Sequence, residues 1–441
     1  MLEKIKQRIP VDSILSGVTK FSNFKFIKAM KDGLAITMPF TIIGSFFLIL
    51  SNFPYQPVAD QLAAWGWSPY LSAASGATFD MMAAYAVIAL TIQWVKNEGF
   101  DGVPAGLLAF AAFEILLPQS VDVLNAKGKV VGTATGVIDK AWTGGQGLIG
   151  AILIATVVGM VYSWFLKHKI TIKMPEMVPP AIAGAFTAII PGAAIIVGSV
   201  LVRLFFNVTT GETMMQTIYK YLQVPLQGMT DSFAGLMIFI LLMNGFWAFG
   251  VHGSMIVNGL LGPILQANTL DNARLAKQGA EALQAHGHIF IQPLIDQFVN
   301  VSGAGMMFGL VMYLLFFSKS QAFRKLGKLS ALPMSFQIVE PILFGLPIVF
   351  NPIMIVPFIL QSLLSGGLTY MMIAIGVLPK LTGVMLPWTT PAVISGYLVG
   401  GIPYMLWQIL MLVMSFFVYF PFARISDRMN LEREEGKLSA E

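Results

Sequence analysis

The 441-residue sequence contains no cysteine. That excludes disulfides, thiolate metal sites and thiol nucleophiles. Charge is also scarce: Asp, Glu, Lys and Arg make up 11% of the residues, where a soluble globular chain carries about a quarter. Mean hydropathy is +0.74, so a soluble domain is excluded and an all-α, polytopic membrane protein is expected. Met1–Lys31 has no early apolar core of a signal peptide; it carries Lys4, Lys6, Arg8, Lys20, Lys25, Lys28 and Lys31. This reads as a cytoplasmic tail leading into a retained span. The net charge of +5 records membrane topology rather than a nucleic-acid partner. Internal repeats and low-complexity stretches are missing as well.

What is present is long apolar runs. Gly33–Phe53, Leu71–Val95, Gly145–Leu166, Pro180–Phe206, Ser232–Gly250 and Ile353–Gly376 each approach or exceed the roughly 20 residues that cross a bilayer. Gly102–Leu117 and Val301–Phe317 are shorter candidates, and Ile402–Phe422 closes the membrane part. Val251–Leu265, Leu332–Asn351 and Leu378–Gly400 are apolar but short, or interrupted by Gly and Pro. Irregular backbone at membrane depth survives only inside protein or beside an aqueous cavity, so these three mark the expected functional centre.

Basic residues set the topology. If Val251–Leu265 crosses as a short tenth span and the other two segments enter and return, both termini are cytoplasmic. Most Lys and Arg then lie inside, leaving Lys127, Lys129, Lys140, Lys220, Arg274, Lys277 and Lys380 outside, as the inside preference of cations demands. The expected architecture is ten transmembrane helices plus two re-entrant hairpins near 332–351 and 378–400. Residues 1–206 form a scaffold half of five spans and 207–231 an amphipathic interfacial connector, with Thr213–Met229 as its helix. Residues 232–422 carry five spans and the hairpins, and 423–441 form a cytoplasmic tail. Leu270–Gln284 reads as a polar helical excursion in the long outer loop.

Ionisable residues at bilayer depth are costly and point to function. Asp80 is expected to have a structural partner, and Glu114, one turn from Pro118, to snorkel to the outer surface. His286 and His288 form a His-x-His pair, but no carboxylate or thiol accompanies them at ligand spacing, so no metal is expected. His252 lies between Gly250 and Gly253 in "FGVHG", where an imidazole can donate, accept or change protonation. Glu340 sits in "QIVEPILFGLPIVFNP", interrupted by Pro341, Gly345, Pro347 and Pro352. Open backbone donors beside a carboxylate form a polar pocket suited to a polyhydroxylated ligand. Trp388, in "LPWTTP", is either a stacking face for a sugar ring or an interfacial belt residue. Gln337, Asn351 and Thr389 on the broken segments, with Asn244 and Gly253 around His252, complete the candidate substrate set. Glu340 and His252 are the candidates for chemistry, and no cofactor is expected.

"EPILFGLPIVFNP", "FGVHG" and "PWTTP", in this order, together resemble the membrane-embedded IIC component of bacterial phosphotransferase systems. The lactose/cellobiose/chitobiose branch is the nearest likeness. "GLAITMPFTIIGSF", "GGQGLIGAI" and "HIFIQPLIDQF" extend it through nearly the whole chain. The resemblance implies a homodimeric sugar permease of the bacterial cytoplasmic membrane, its first half making most of the dimer contact and its second half carrying the sugar. It matches the family's histidine to His252, its hairpin glutamate to Glu340 and its second-hairpin tryptophan to Trp388. A β-linked disaccharide is the implied substrate. The implied phosphoryl donor is a phosphocysteine on a IIB component, itself charged through IIA. With no cysteine here, that donor belongs to a separate polypeptide, and the basic stretch Lys319–Lys328 is expected to contribute to its docking face. Val339 replaces the asparagine that often precedes the family's glutamate. Two rival readings are a proton-coupled sugar transporter, with Glu340 and His252 relaying protons, and a non-transporting membrane scaffold or sensor.

Overall fold

The computed structural model describes residues 24–51, 56–124, 130–175, 177–248, 253–346, 348 and 351–435. Contacts divide the chain into two compact units, one within Phe21–Phe47 and Tyr70–Gly228, the other within Leu48–Pro69 and Met229–Glu441.

The first unit takes most of helix α1 (Lys25–Ser51). It continues with α2 (Met82–Asn97), α3 (Val103–Leu116), α4 (Leu148–Lys167) and α5 (Ile189–Thr210). Lipid offers no hydrophobic drive between helices, so small residues that admit close backbones hold them together. Ala83, Ala86 and Val87 on α2 and Ala151, Ala155 and Val158 on α4 are buried. A Cβ at Gly159 would come within 2.7 Å of the Trp94 ring, and one at Gly106 within 2.7 Å of Ile92. The expected span Pro180–Phe206 is divided into Pro180–Thr187 and α5. Pro191 cannot donate to residue 187 and is tolerated only in a first helical turn, which places the break just before it. Between α3 and α4 lies an unanticipated antiparallel hairpin, Ser120–Leu124 paired with Val130–Thr135. The unit ends in a helix opened by a Thr213–Gln216 capping box and interrupted by a π turn at Tyr219–Gln223.

The second unit contains α6 (Phe233–Ala248), α7 (Gly253–Gln278) and α8 (Ala280–His286). After a short helical stretch and a π turn at Ile295–Val299 come α9 (Phe308–Phe316), α10 (Gln321–Ser335), α11 (Glu340–Gly345), α12 (Pro352–Ala374) and α13 (Ile394–Glu434). Four expectations change here. The short span expected over Val251–Leu265 is, from Gly253, part of a 26-residue helix running to Gln278. The supposed exposed excursion is continuous with it, and Asn268, Thr269, Asp271 and Asn272 are buried rather than solvated. Val301–Phe317 is not one continuous helix: only Phe308–Phe316 is α-helix, because Gly303 and Gly305 adopt φ of 89° and 74°. The closing helix starts before Ile402, bends at Gly400–Gly401 and runs on to Glu434.

Six described helices are long and apolar enough to cross a membrane, or up to eight if each of two bent pairs is one span. The core of the second unit joins Trp247 to Val339, Ile342, Leu343 and Leu346 and to Met307, Leu310, Phe358 and Tyr419.

Candidate functional site

The candidate site grows from three interruptions of the second unit. The first follows α10, where Gln337 adopts φ +65° and reverses the chain. The six-residue α11 then opens at Glu340, and Pro341, lacking an N–H, fits its first turn. The backbone of Glu340 is thus placed, whereas its side chain lies outside what is described. His252 also lies outside the described residues. Their flanks do meet: Trp247, five residues before His252, shares a buried cluster with Val339, Ile342 and Leu343.

The second interruption, residues 378–393, is irregular and then turned. Thr390 closes the turn, its N–H and hydroxyl both donating to the Pro387 carbonyl at 2.9 and 2.7 Å. Trp388 projects from this turn, 53% exposed. The Gln337 amide, 5% exposed, donates to the Thr390 carbonyl at 2.7 Å. That bond ties the Glu340 segment to the Trp388 segment, with Thr389 half-buried beside it.

The third interruption, Gln292–Met307, was not foreseen. Its π turn leaves Gln292, Asp296 and Asn300 partly accessible, while Leu294, Ile295, Phe298 and Val299 are fully buried. Positions four apart share one helix face, so these three form a polar stripe. Gln292 donates to Asp296 at 2.9 Å, and Asn300 Oδ1 is shielded with no partner among the described residues. The segment continues into Gly303, where a Cβ would sit 2.2 Å from Val339 Cγ1 and 2.7 Å from the Gln337 carbonyl oxygen. Glycine is therefore what lets the first and third interruptions touch. Val339, 4% exposed, is spent on this apolar contact.

The remaining candidates take more local roles. Asn351 caps α12, its Oδ1 accepting from the Ile353 and Met354 N–H groups at 3.0 and 3.4 Å. Gly253 is a close-approach residue, since a Cβ there would lie 1.8 Å from the Met243 carbonyl oxygen. Asn244 donates to the Ile240 carbonyl at 3.1 Å, while its Oδ1 is shielded with no partner among the described residues. A buried acceptor without a partner costs on the order of 1–3 kcal/mol unless water or a ligand supplies the donor. Outside the site, Thr143 donates to the Asp80 carbonyl at 2.6 Å. Glu114 is half-buried, with its Oε1 shielded and no partner for it among the described residues.

Sequence reading missed Gln408. It lies in an apolar helix, and a lone neutral amide barely lowers hydropathy. Its Oε1 accepts from the N–H groups of Val393 (2.7 Å) and Gly396 (2.9 Å), while its amide donates to the Gln297 carbonyl (2.7 Å). It thereby locks the end of the second interruption onto the third. The sequence assigns His288 no role beyond the His-x-His pair, yet both its ring nitrogens face carboxylates.

Three interrupted segments meeting around partly accessible amides and the Asp296 carboxylate, in a chain of long apolar helices, define a multi-pass membrane carrier of a polar solute. The family model "Phosphotransferase system, EIIC" matches residues 31–362, and the chain belongs to this family of sugar permeases. Among similar proteins, the lichenan permease IIC component of Bacillus subtilis (strain 168) is 33% identical, covering 98% of this chain and 96% of the relative. The cellobiose-specific EIIC component of Geobacillus stearothermophilus is 33% identical over 97% and 96%. Among solved structures, the transporter ChbC, the IIC component of an N,N'-diacetylchitobiose-specific phosphotransferase system, superposes with a TM-score of 0.90. It is 32% identical, covering 96% of this chain and 98% of that one.

Proposed function

We propose that this protein binds a β-linked disaccharide at the outer face, carries it across the membrane and presents it inside for phosphorylation by a separate IIB phosphocysteine protein. The bond from Gln337 to the Thr390 carbonyl carries the reading, because it joins the Glu340 and Trp388 segments. The lichenan, cellobiose and diacetylchitobiose names of similar proteins all point to β-linked sugars.

In this reading Trp388 stacks on a sugar face and His252 and Glu340 hold the hydroxyl that is phosphorylated. Glu340 accepts its proton as the phosphoryl group arrives. Asp296 and Asn300 add hydrogen-bonding capacity, and Thr389 borders the stacking face. Ten spans, two re-entrant hairpins, cytoplasmic termini and a homodimer formed mostly by the first half complete the proposal. The cationic α10, with Arg324, Lys325 and Lys328 exposed, suits an inner docking face for IIB.

Calorimetric titration of the purified protein with cellobiose, chitobiose, lactose and glucose tests the site. Saturable binding of at least one disaccharide, with glucose weaker, is expected. Binding of none of them, or of glucose alone, contradicts the proposal. His252→Ala is expected to weaken disaccharide binding without altering the oligomeric state.

A further inference from the structure

A charge cluster in the second unit lies apart from the proposed sugar contacts. Asp231 just ahead of α6, Asp271 and Asn272 on α7, and His288 beyond α8 converge there. His288 Nδ1 lies 2.9 Å from Asp231 Oδ2, and its Nε2 lies 3.7 Å from Asp271 Oδ2. A neutral imidazole would turn a lone pair toward one of these carboxylates; only the imidazolium faces both with N–H groups. Asp231 Oδ1 accepts from the N–H groups of Ile289 (3.0 Å) and Phe290 (2.7 Å). Arg274 Nε sits 3.7 Å from Asp271 Oδ1, and the Tyr370 hydroxyl is within electrostatic reach of Asp231.

The cluster reaches the second interruption directly. Asn272 Oδ1 accepts from the His288 N–H at 2.7 Å, while its amide donates to the His288 and Leu381 carbonyls, both at 2.9 Å. Gly383, at φ +82°, lies so close to α7 that a Cβ would come 2.3 Å from the Thr269 carbonyl oxygen. The Lys380 N–H donates to the Gln284 side chain at 3.1 Å, and Tyr404 donates to the Pro379 carbonyl. Residues 379–383, a few positions ahead of Trp388, are thus moored to α7, which bears Asp271 and Asn272, and also to α8 and α13.

We propose that Asp231, His288, Asp271 and Asn272 form a charge clasp that positions the second interruption, and with it Trp388, for sugar. His288 is its positioning residue, acting through Asn272 and Leu381. Burial pulls the imidazole pKa down, but the hydrogen bonds and charges of Asp231 and Asp271 outweigh it and raise the value to about 9. The clasp therefore holds at neutral pH and loosens as pH rises through about 9, when two carboxylates face an uncharged ring.

This inference rests on Trp388 being a sugar contact, so its test has one arm with cellobiose and one without. In the full-length protein, His288→Gln is expected to weaken cellobiose binding roughly tenfold near pH 7, the scale of a typical coupling between sites. It is also expected to speed amide hydrogen exchange at residues 380–386 by a similar factor. The unaltered protein should show both changes between about pH 8 and about pH 10, after correction for the base-catalysed intrinsic rate. The variant should show neither. Exchange at 380–386 and cellobiose affinity that both stay constant across that range in the unaltered protein would overturn the clasp, and this measurement needs no variant. If the unaltered protein binds no cellobiose at neutral pH, the sugar reading fails while the exchange arm still judges the clasp.

Discussion

The two units handle irregularity in opposite ways. In the first, glycines such as Gly106 and Gly159 sit in helices and bring them close, and the only described non-glycine residue at positive φ is Lys169, just past the end of α4. In the second, Ser302, Met306, Gln337 and Val393 all have φ between 46° and 72°. Such a backbone costs on the order of 1–3 kcal/mol per residue, and more for a β-branched one such as Val393. It persists because buried bonds over-determine it: Gln408 fixes Val393 and Gln337 is tied to Thr390. Strain and accessible polar groups occur together, and the long helices of the first unit carry little of either. One unit is held by uniform packing, the other by specific hydrogen bonds between its interrupted segments.

Substitutions in each unit should therefore have unequal effects. The largest effect is expected at Glu340, where Glu340→Gln should lower sugar phosphorylation by more than about 100-fold, because the amide cannot take a proton. Retained phosphorylation in a reconstituted assay with IIB would reduce Glu340 to a binding group. Gly303→Ala should lower the unfolding free energy by about 2–4 kcal/mol, through contact with Val339 and an unfavourable φ. A melting curve matching the unaltered protein would mean that the first and third interruptions do not pack as described. Trp388→Ala should weaken disaccharide binding by about 1–3 kcal/mol through lost stacking, whereas unaltered affinity returns Trp388 to an interfacial role.

His288 gives a pH dependence with a definite sign. Its pKa is raised from 6.5 to about 9 in the fold, so its contribution to stability is complete below 6.5 and is lost as pH rises toward 9. Thermal melting across that range, compared with His288→Gln, checks it; parallel curves for the two proteins contradict it. The smallest effect is expected in the first unit. At Gly198, in α5, an added Cβ meets no atom within 4 Å, so Gly198→Ala should change stability by less than about 1 kcal/mol and favour the helix.

Hydropathy alone made the membrane class legible, and proline and glycine marked the segments around Glu340 and Trp388 as broken. The third interruption escaped because "VSGAGMMFGLVMYLLFF" reads as a continuous apolar run, and its glycines declare themselves only through φ. Gln408, Asn300 and Gln292 escaped because neutral amides scarcely alter hydropathy. The bonds that assemble the site join residues far apart in sequence, Gln337 with Thr390 across 53 positions and Gln408 with Gln297 across 111. Local pattern carries no trace of such pairs. The polar stretch after Leu265 misled in the other direction: "ANTLDNARL" looks solvated, but its Asn and Asp side chains hold His288 and Leu381 in place.

In the proposed cycle the second unit hands a disaccharide to a phosphoryl donor on another polypeptide. Sealed membrane vesicles containing this protein alone, then with IIB, IIA and their phosphoryl source, test it most directly using radiolabelled cellobiose. Accumulation of phosphorylated sugar only when the partner proteins are present is the expected result. Accumulation of unmodified cellobiose driven by a proton gradient, with no partner present, would contradict it.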